Sequence, residues 1–444
     1  MLGGYAITRW LSIGILFWAS TSLVASAAER ISPPSGLYEA QSFSSGDQRV
    51  VPTYFQEAEP KPQPPAAKPS AQPKAQPAPA LPPPQANPFL NNQQPRFMPN
   101  NQRYLARMSR APDMFGDSRV PLTARIQNAN RNEFDVNLPF GGGSHRFKNE
   151  HGQALPTDRV FGLYHHFENA INVTPLEPGT SSASRDLDRF TLGFEKTFLD
   201  GNASVELRLP MSSTVGVSTP DIVYRSETVG DLVVTLKGLL YADDEQAWSM
   251  GLAVVTPTGR DVTVVSPTSG ASGASLKLEN DAAHFVPFIA FQATPTDDFF
   301  IHSYLQLDTP TNPYSAQSVV TTGPTSPSSV RNFRVTDQTL LYADIALGHW
   351  WFRDAEAQFL SGLASLLELH YTTALTSPDQ VSLKDNFVSF GSQSSGNDVV
   401  NLTIGLHAEF ARSTSLRVGY VTPLRNDNHR YFDNEITVAL VYRR

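Results

Sequence analysis

Charged side chains recur at alternate positions from about Arg159 to the C-terminus of this 444-residue chain, most of them flanked by apolar residues. Glu195, Glu206, Arg208, Lys237, Asp308, Asp344, Glu368, Glu409 and Arg417 all fall on the polar face of such segments, and His302, His370 and His407 share it. A carboxylate pair such as Glu195 with Glu206 is what a glycoside hydrolase needs. Salt bridging across neighbouring segments is the simpler use of the same groups. For the whole set two readings stand side by side: a network that fills a lumen, and the lining of a selective pore in which the acidic excess favours cations. Other candidates carry less. His349 falls on the apolar face toward a short connection, and no Gly-x-Ser-x-Gly motif accompanies it. Gly141-Gly142-Gly143 lacks the Gly-Lys-Ser/Thr that a phosphate loop requires. His145 and His151 bracket Arg146, Lys148 and Glu150, which reads as solvated surface rather than a metal site. The chain has no cysteine, so thiolate chemistry and disulfides are excluded. No enzyme activity, cofactor or metal is expected.

The elements that must position these residues are strands. Phe190, Leu192, Phe194 and Phe198 alternate with Thr191, Gly193, Glu195 and Thr197. Val400, Leu402, Ile404, Leu406, Ala408 and Phe410 alternate with Asn401, Thr403, Gly405, His407 and Glu409. Runs of ten or more residues exceed the ~5–6 of soluble strands and suit a tilted membrane strand. Short connections (200–202, 243–246, 296–298, 354–357 and 411–415) alternate with long polar ones (172–186, 211–229, 259–283, 309–338 and 376–397). That rhythm predicts an all-β, antiparallel up-and-down transmembrane barrel of about twelve strands over 159–444, with tight periplasmic turns and long external loops. Within it, the strand from Arg159 to Ile171 has the weakest pattern, because Glu168 and Asn169 interrupt it. Aromatics beside the short connections (Trp248, Phe299, Phe300, Trp350, Trp351, Phe352 and Phe410) are expected to form an interfacial girdle.

The N-terminal part has other uses. Arg9, the apolar stretch Leu11 to Val24 and Ala25-Ser26-Ala27 predict a cleaved signal peptide over 1–27. Residues 28–51 read as disordered. The stretch 52–99 holds 15 of the 35 prolines, which favours an extended, donor-poor linker reaching on the order of 150 Å. Residues 100–158 read as a periplasmic or plug-like lead-in, with a short extra strand near Asn132 to Leu138. The net charge of −8 gives no reason to expect nucleic acid.

Several runs resemble planctomycete-type outer-membrane β-barrel proteins: Asp158-Arg159-Val160-Phe161, the block from Leu192 through Asp200-Gly201-Asn202 to Pro210, and Thr294 to Phe300, with Gly141 to Lys148 upstream. The resemblance covers about Phe140 to the C-terminus. It implies the barrel fold and the outer membrane of a Gram-negative-type envelope, and no catalytic residue or defined substrate. The last strand ends in Arg443-Arg444 rather than an aromatic. The expected function is a passive channel or transporter for small solutes or ions among outer-membrane lipids. The alternative is an anchoring barrel that reaches peptidoglycan or other periplasmic components through the proline-rich linker.

Overall fold

A computed structural model describes residues 111–118, 122–127, 133–138, 147–148, 152–176, 182–213, 216–218, 222–225, 229–266, 272–322, 329–354, 356–377, 379, 381–382, 388–390, 398–411, 413–425 and 430–443. The expected signal peptide over 1–27, the expected disordered 28–51, the proline-rich stretch 52–99, the glycine triplet, His145 and His151 lie outside the described residues.

Twelve antiparallel strands form a closed barrel: β1 (Arg159–Pro175), β2 (Ala183–Phe198), β3 (Ala203–Ser213), β4 (Val233–Ala242), β5 (Gln246–Val255), β6 (His284–Ala293), β7 (Phe299–Pro310), β8 (Leu340–Arg353), β9 (Leu360–Ala374), β10 (Val399–Phe410), β11 (Thr414–Pro423) and β12 (Glu435–Arg443). Each pairs with its neighbours in sequence, and β12 closes the ring on β1 with Arg443 opposite Arg159. Closure removes every open edge from the wall. The alternation decides which face is which. On β8, Tyr342, Asp344, Ala346, Gly348 and Trp350 are buried, while Ile345 and Leu347 point outward. The outer wall is a belt of exposed apolar side chains, including Leu236, Met250, Leu305, Leu367, Ile404 and Leu406. A continuous belt of this kind far exceeds the apolar patches that water tolerates, and lipid is the solvent that suits it.

β1 runs unbroken as a 17-residue strand. Its weak spot is absorbed by a bulge between Phe167 and Ile171, where Asn169 takes a positive φ of 55°. Asn tolerates that conformation because its side chain can bond locally, and here it donates to Asp433 at 2.7 Å.

The long connections carry strands of their own. Hairpins at 216–225, 262–278 and 314–335 join edge to edge in a six-stranded sheet. Val381–Ser382 and Val388–Phe390 pair with each other, and the second pairs with Leu122–Gln127. Leu122–Gln127 in turn pairs with Glu133–Leu138, which hydrogen-bonds to the far end of β1 through Phe134 opposite Pro175. The segment ahead of the barrel therefore reaches the long-connection end. The main apolar core lies at that end too: Phe134, Val136, Phe167, Ile171, Val264, Leu276, Leu278, Tyr314, Val335 and Phe432 pack in one buried cluster.

The aromatic girdle is only partly as expected. Trp351, Phe352 and Trp248 are exposed, but Phe300 and Trp350 are buried. Room inside explains this. The Phe300 ring lies against Gly348, its register partner on β8, where a Cβ would sit 1.9 Å from the ring.

Candidate functional site

The lumen is occupied by two stretches of the chain itself. Ala111 and Phe115 pack against Phe300, Trp350, Ala364 and Leu366, near the short turns. Asp117 accepts from Asn401 Nδ2 at 2.8 Å, at the other end of β10. Asp117–Ser118 then pairs with Phe147–Lys148. The chain returns beside its outward path, with Met114 N–H donating to Gly152 O at 2.9 Å. On the way back Lys237 Nζ donates to the carbonyls of Gln153 and Leu155 at 2.9 and 3.2 Å. Thr157 N–H reaches Glu195 at 3.3 Å, and β1 begins two residues later. The described residues 111–118 and 152–158 thus lie inside the barrel and lead toward its short-turn end, where β1 begins.

Asp113 is the centre of this arrangement. Its buried carboxylate meets Arg443 at 2.7 Å, Arg159 at 3.1 Å and Arg417 at 3.9 Å. Arg417 also donates to the main-chain oxygens of Asp113 and Met114, the latter at 2.8 Å. Arg159 turns its other nitrogens to Glu195 at 2.7 Å and Glu206 at 2.9 Å. Glu195 is shared with Lys237 at 2.9 Å and accepts from Ser204, and Glu206 is shared with Arg208. Charges this far from water persist because each is held by opposite charge and hydrogen bonds. Deleting one partner strands the others.

A second anchor uses neutral donors. Glu368 accepts the backbone N–H of Phe115 at 2.8 Å and of Gly116 at 3.2 Å, and stands 3.2 Å from His370. His370 in turn contacts Asp344 at 3.1 Å. Phe115 itself drops into a slot between Gly405 and Gly419, which face each other across β10 and β11. A Cβ on Gly405 would come within 2.3 Å of the ring. Farther up, His165 pairs with Glu435 at 2.6 Å, while His284 links Asp308 to Tyr314 at 2.7 Å each. Tyr342 also donates to Asp308 at 2.8 Å.

Beside the insert, between Gly152, Gln153 and the strands from β1 to β8, lies a cavity of about 60 Å³, room for a handful of waters. Arg159, Arg189, Arg208 and Lys237 line it, against Glu206 and Asp308.

The structure places the nine sequence-selected residues as follows. Glu195, Glu206, Arg208 and Lys237 join one network around Arg159. Arg417 joins it through Asp113. Asp344 and Glu368 share His370, and Asp308 stands apart with His284 and Tyr342. Glu409 sits partly buried near the short turn, 3.7 Å from His407. Glu195 and Glu206 are register partners on β2 and β3. Both carboxylates are taken up by Arg159 and its neighbours, which leaves no cleft for a glycoside. Among the described residues no cluster of three or more His, Asp or Glu side chains is arranged to hold a metal ion.

Sequence reasoning missed Asp113, Arg159, Arg189, Glu435 and Arg443. Only Arg443 carried a signal, as a basic residue where a barrel usually ends in an aromatic. At the rim, partial burial opposes the charge of Asp158, but hydrogen bonds from Lys196 and from the Thr197 side chain and backbone outweigh it, holding the carboxyl down at about 2.

No protein-family model and no curated protein matches the chain. Solved structures with similar topology are barrels. The translocator domain of the autotransporter NalP from Neisseria meningitidis is 12% identical, covering 65% of this chain and 88% of its own, with a TM-score of 0.41. An outer membrane channel from Pseudomonas putida is 10% identical, covering 66% and 98%, at 0.40. The toluene transporter TodX from Pseudomonas putida is 10% identical, covering 64% and 89%, at 0.36.

Proposed function

We propose that this chain is an outer-membrane barrel that acts as a passive channel for small solutes or ions, held shut by residues 111–158. The observation that carries the reading is the chemistry of the inner wall. It carries many buried charged side chains, and the insert is held to it by ion pairs and backbone hydrogen bonds, with Asp113 and Glu368 as the main polar anchors, beside apolar contacts of Phe115 and Met114. A wall of this kind is compatible with water once the insert moves. The short turns are assigned to the periplasm, as in other barrels. The described insert residues lead toward that side. A cleaved signal peptide over 1–27, a disordered 28–51 and a proline-rich periplasmic linker over 52–99 complete the proposed organisation. Membership of the planctomycete-type barrel family belongs to the same proposal.

The second reading is a barrel that anchors the envelope, with the linker touching peptidoglycan. The apolar cluster at the long-connection end favours it, because packing there ties the external strands to the rim of the barrel. Single-channel recording separates the two. The channel reading expects a mostly closed trace with discrete openings, both for the full chain and for one lacking residues 28–110, since both keep the insert. Silence from these two and from D113N, in folded protein, rejects the channel and leaves the anchor.

A further inference from the structure

Three guanidinium groups converge on one carboxylate inside the barrel, and that carboxylate belongs to the insert rather than to the wall. Arg159, Arg417 and Arg443 come from β1, β11 and β12, three adjacent strands of the wall. Arg159 has two wall carboxylates of its own, Glu195 and Glu206. For Arg443 and Arg417 the contact with Asp113 lies on the insert side, at 2.7 and 3.9 Å, and Arg417 adds the two main-chain oxygens. The wall thus presents a receptor for an anionic oxygen pair, filled by a tethered one. Guanidinium groups suit carboxylates because their donors form a fixed fork.

The cavity points the same way. Its charged lining is four cations and two carboxylates, and Arg159 belongs both to the cavity and to the Asp113 site. The cavity therefore lies beside the Asp113 site and leaves room next to it, while its cations are balanced by Glu195, Glu206 and Asp113.

From this arrangement we infer that the lumen contains a carboxylate-binding site built by Arg159, Arg417 and Arg443, with Asp113 as its built-in occupant, and that the solutes admitted when Asp113 leaves are small carboxylates. The binding half stands on the geometry alone, and the transport half rests on the channel reading.

The test uses the full-length chain, with D113N and D113E, in detergent at constant ionic strength. The temperature at which the folded band is lost on a gel is followed as sodium chloride is replaced by sodium acetate or succinate. D113N should be stabilised by the carboxylates in a saturable way, and the unmodified chain and D113E should not respond. Equal responses from all three, or none from D113N, overturn the site. R443Q in the D113N background should abolish the response, and a response that survives R443Q and R417Q together also overturns it. In planar bilayers, D113N should open more often than the unmodified chain and favour acetate over potassium several-fold. Openings that favour potassium overturn the transport half. Absence of current together with a carboxylate response rejects the channel reading and leaves the site standing.

Discussion

The two ends of the barrel are closed by different physics. At the short-turn end, Asp113 and its three arginines, with Glu195, Glu206 and Lys237, form a buried ionic network around the insert. At the long-connection end, strands from the insert, the six-stranded sheet and the barrel rim share an apolar cluster that includes Phe134, Ile171, Leu276 and Tyr314. Apolar packing is nondirectional and survives small shifts. A buried ionic network holds only while every partner stays, and losing one is strongly unfavourable. The same segment is thus held near the long connections mainly by apolar packing and near the short turns by an ionic network beside the smaller apolar cluster of Ala111 and Phe115.

The comparison breaks most readily at the apolar end. Leu276→Ala should cost about 2–5 kcal/mol locally by leaving a cavity in a packed cluster. Hydrogen exchange should then speed up in 262–278 and 314–335, while 111–117 keeps its protection. Equal loosening of both regions would show that the two closures are one cooperative unit. Glu368→Gln comes next, at about 1–3 kcal/mol, because the Phe115 and Gly116 donors face a group that can no longer accept both without turning an amide hydrogen on one of them. Amides at 114–117 should exchange faster and the external hairpins should not. The smallest effect belongs to Asp158. Its folded-state pKa of about 2 lies below the ordinary carboxylate value near 3.9. Its contribution is therefore complete above about pH 4 and is lost as the pH falls toward 2. D158N should flatten that part of an acid-unfolding curve and change little at neutral pH.

Much of the wall was legible because its signal is local. Leu402, Ile404 and Leu406 against Asn401, Thr403 and Gly405 can face only two ways, and the turn at Leu199, Asp200 and Gly201, all at positive φ, announces itself in the residues Asp-Gly-Asn. The hairpins in the long connections were harder to see. Val262 to Ser266 and Ser272 to Leu278 are short strands inside long polar connections, and they are held by pairing with each other, the first also with Val223–Arg225 and the second with Tyr314–Thr322. Propensity does not report such partners. Phe300 and Trp350 were read as interfacial because aromatics gather there, but the hollow over Gly348 that receives Phe300 exists only once β7 and β8 are in register. Asp113 was the least visible. Ala111 to Asp117 has no periodicity, and its meaning comes from Arg417 and Arg443, about three hundred residues later.

Arg443 lies on the strand that seals the ring, and its guanidinium grips Asp113. The last seam of the wall and the last clamp on the insert are therefore made by one side chain. A cylinder stitched shut first would have to be threaded afterwards by a segment in which Leu122–Gln127 is paired with Glu133–Leu138, a width of two strands, and the second of these is itself sewn to β1. Assembly in the order that avoids this lays the insert down early and wraps the wall around it, so that biogenesis delivers the protein already corked.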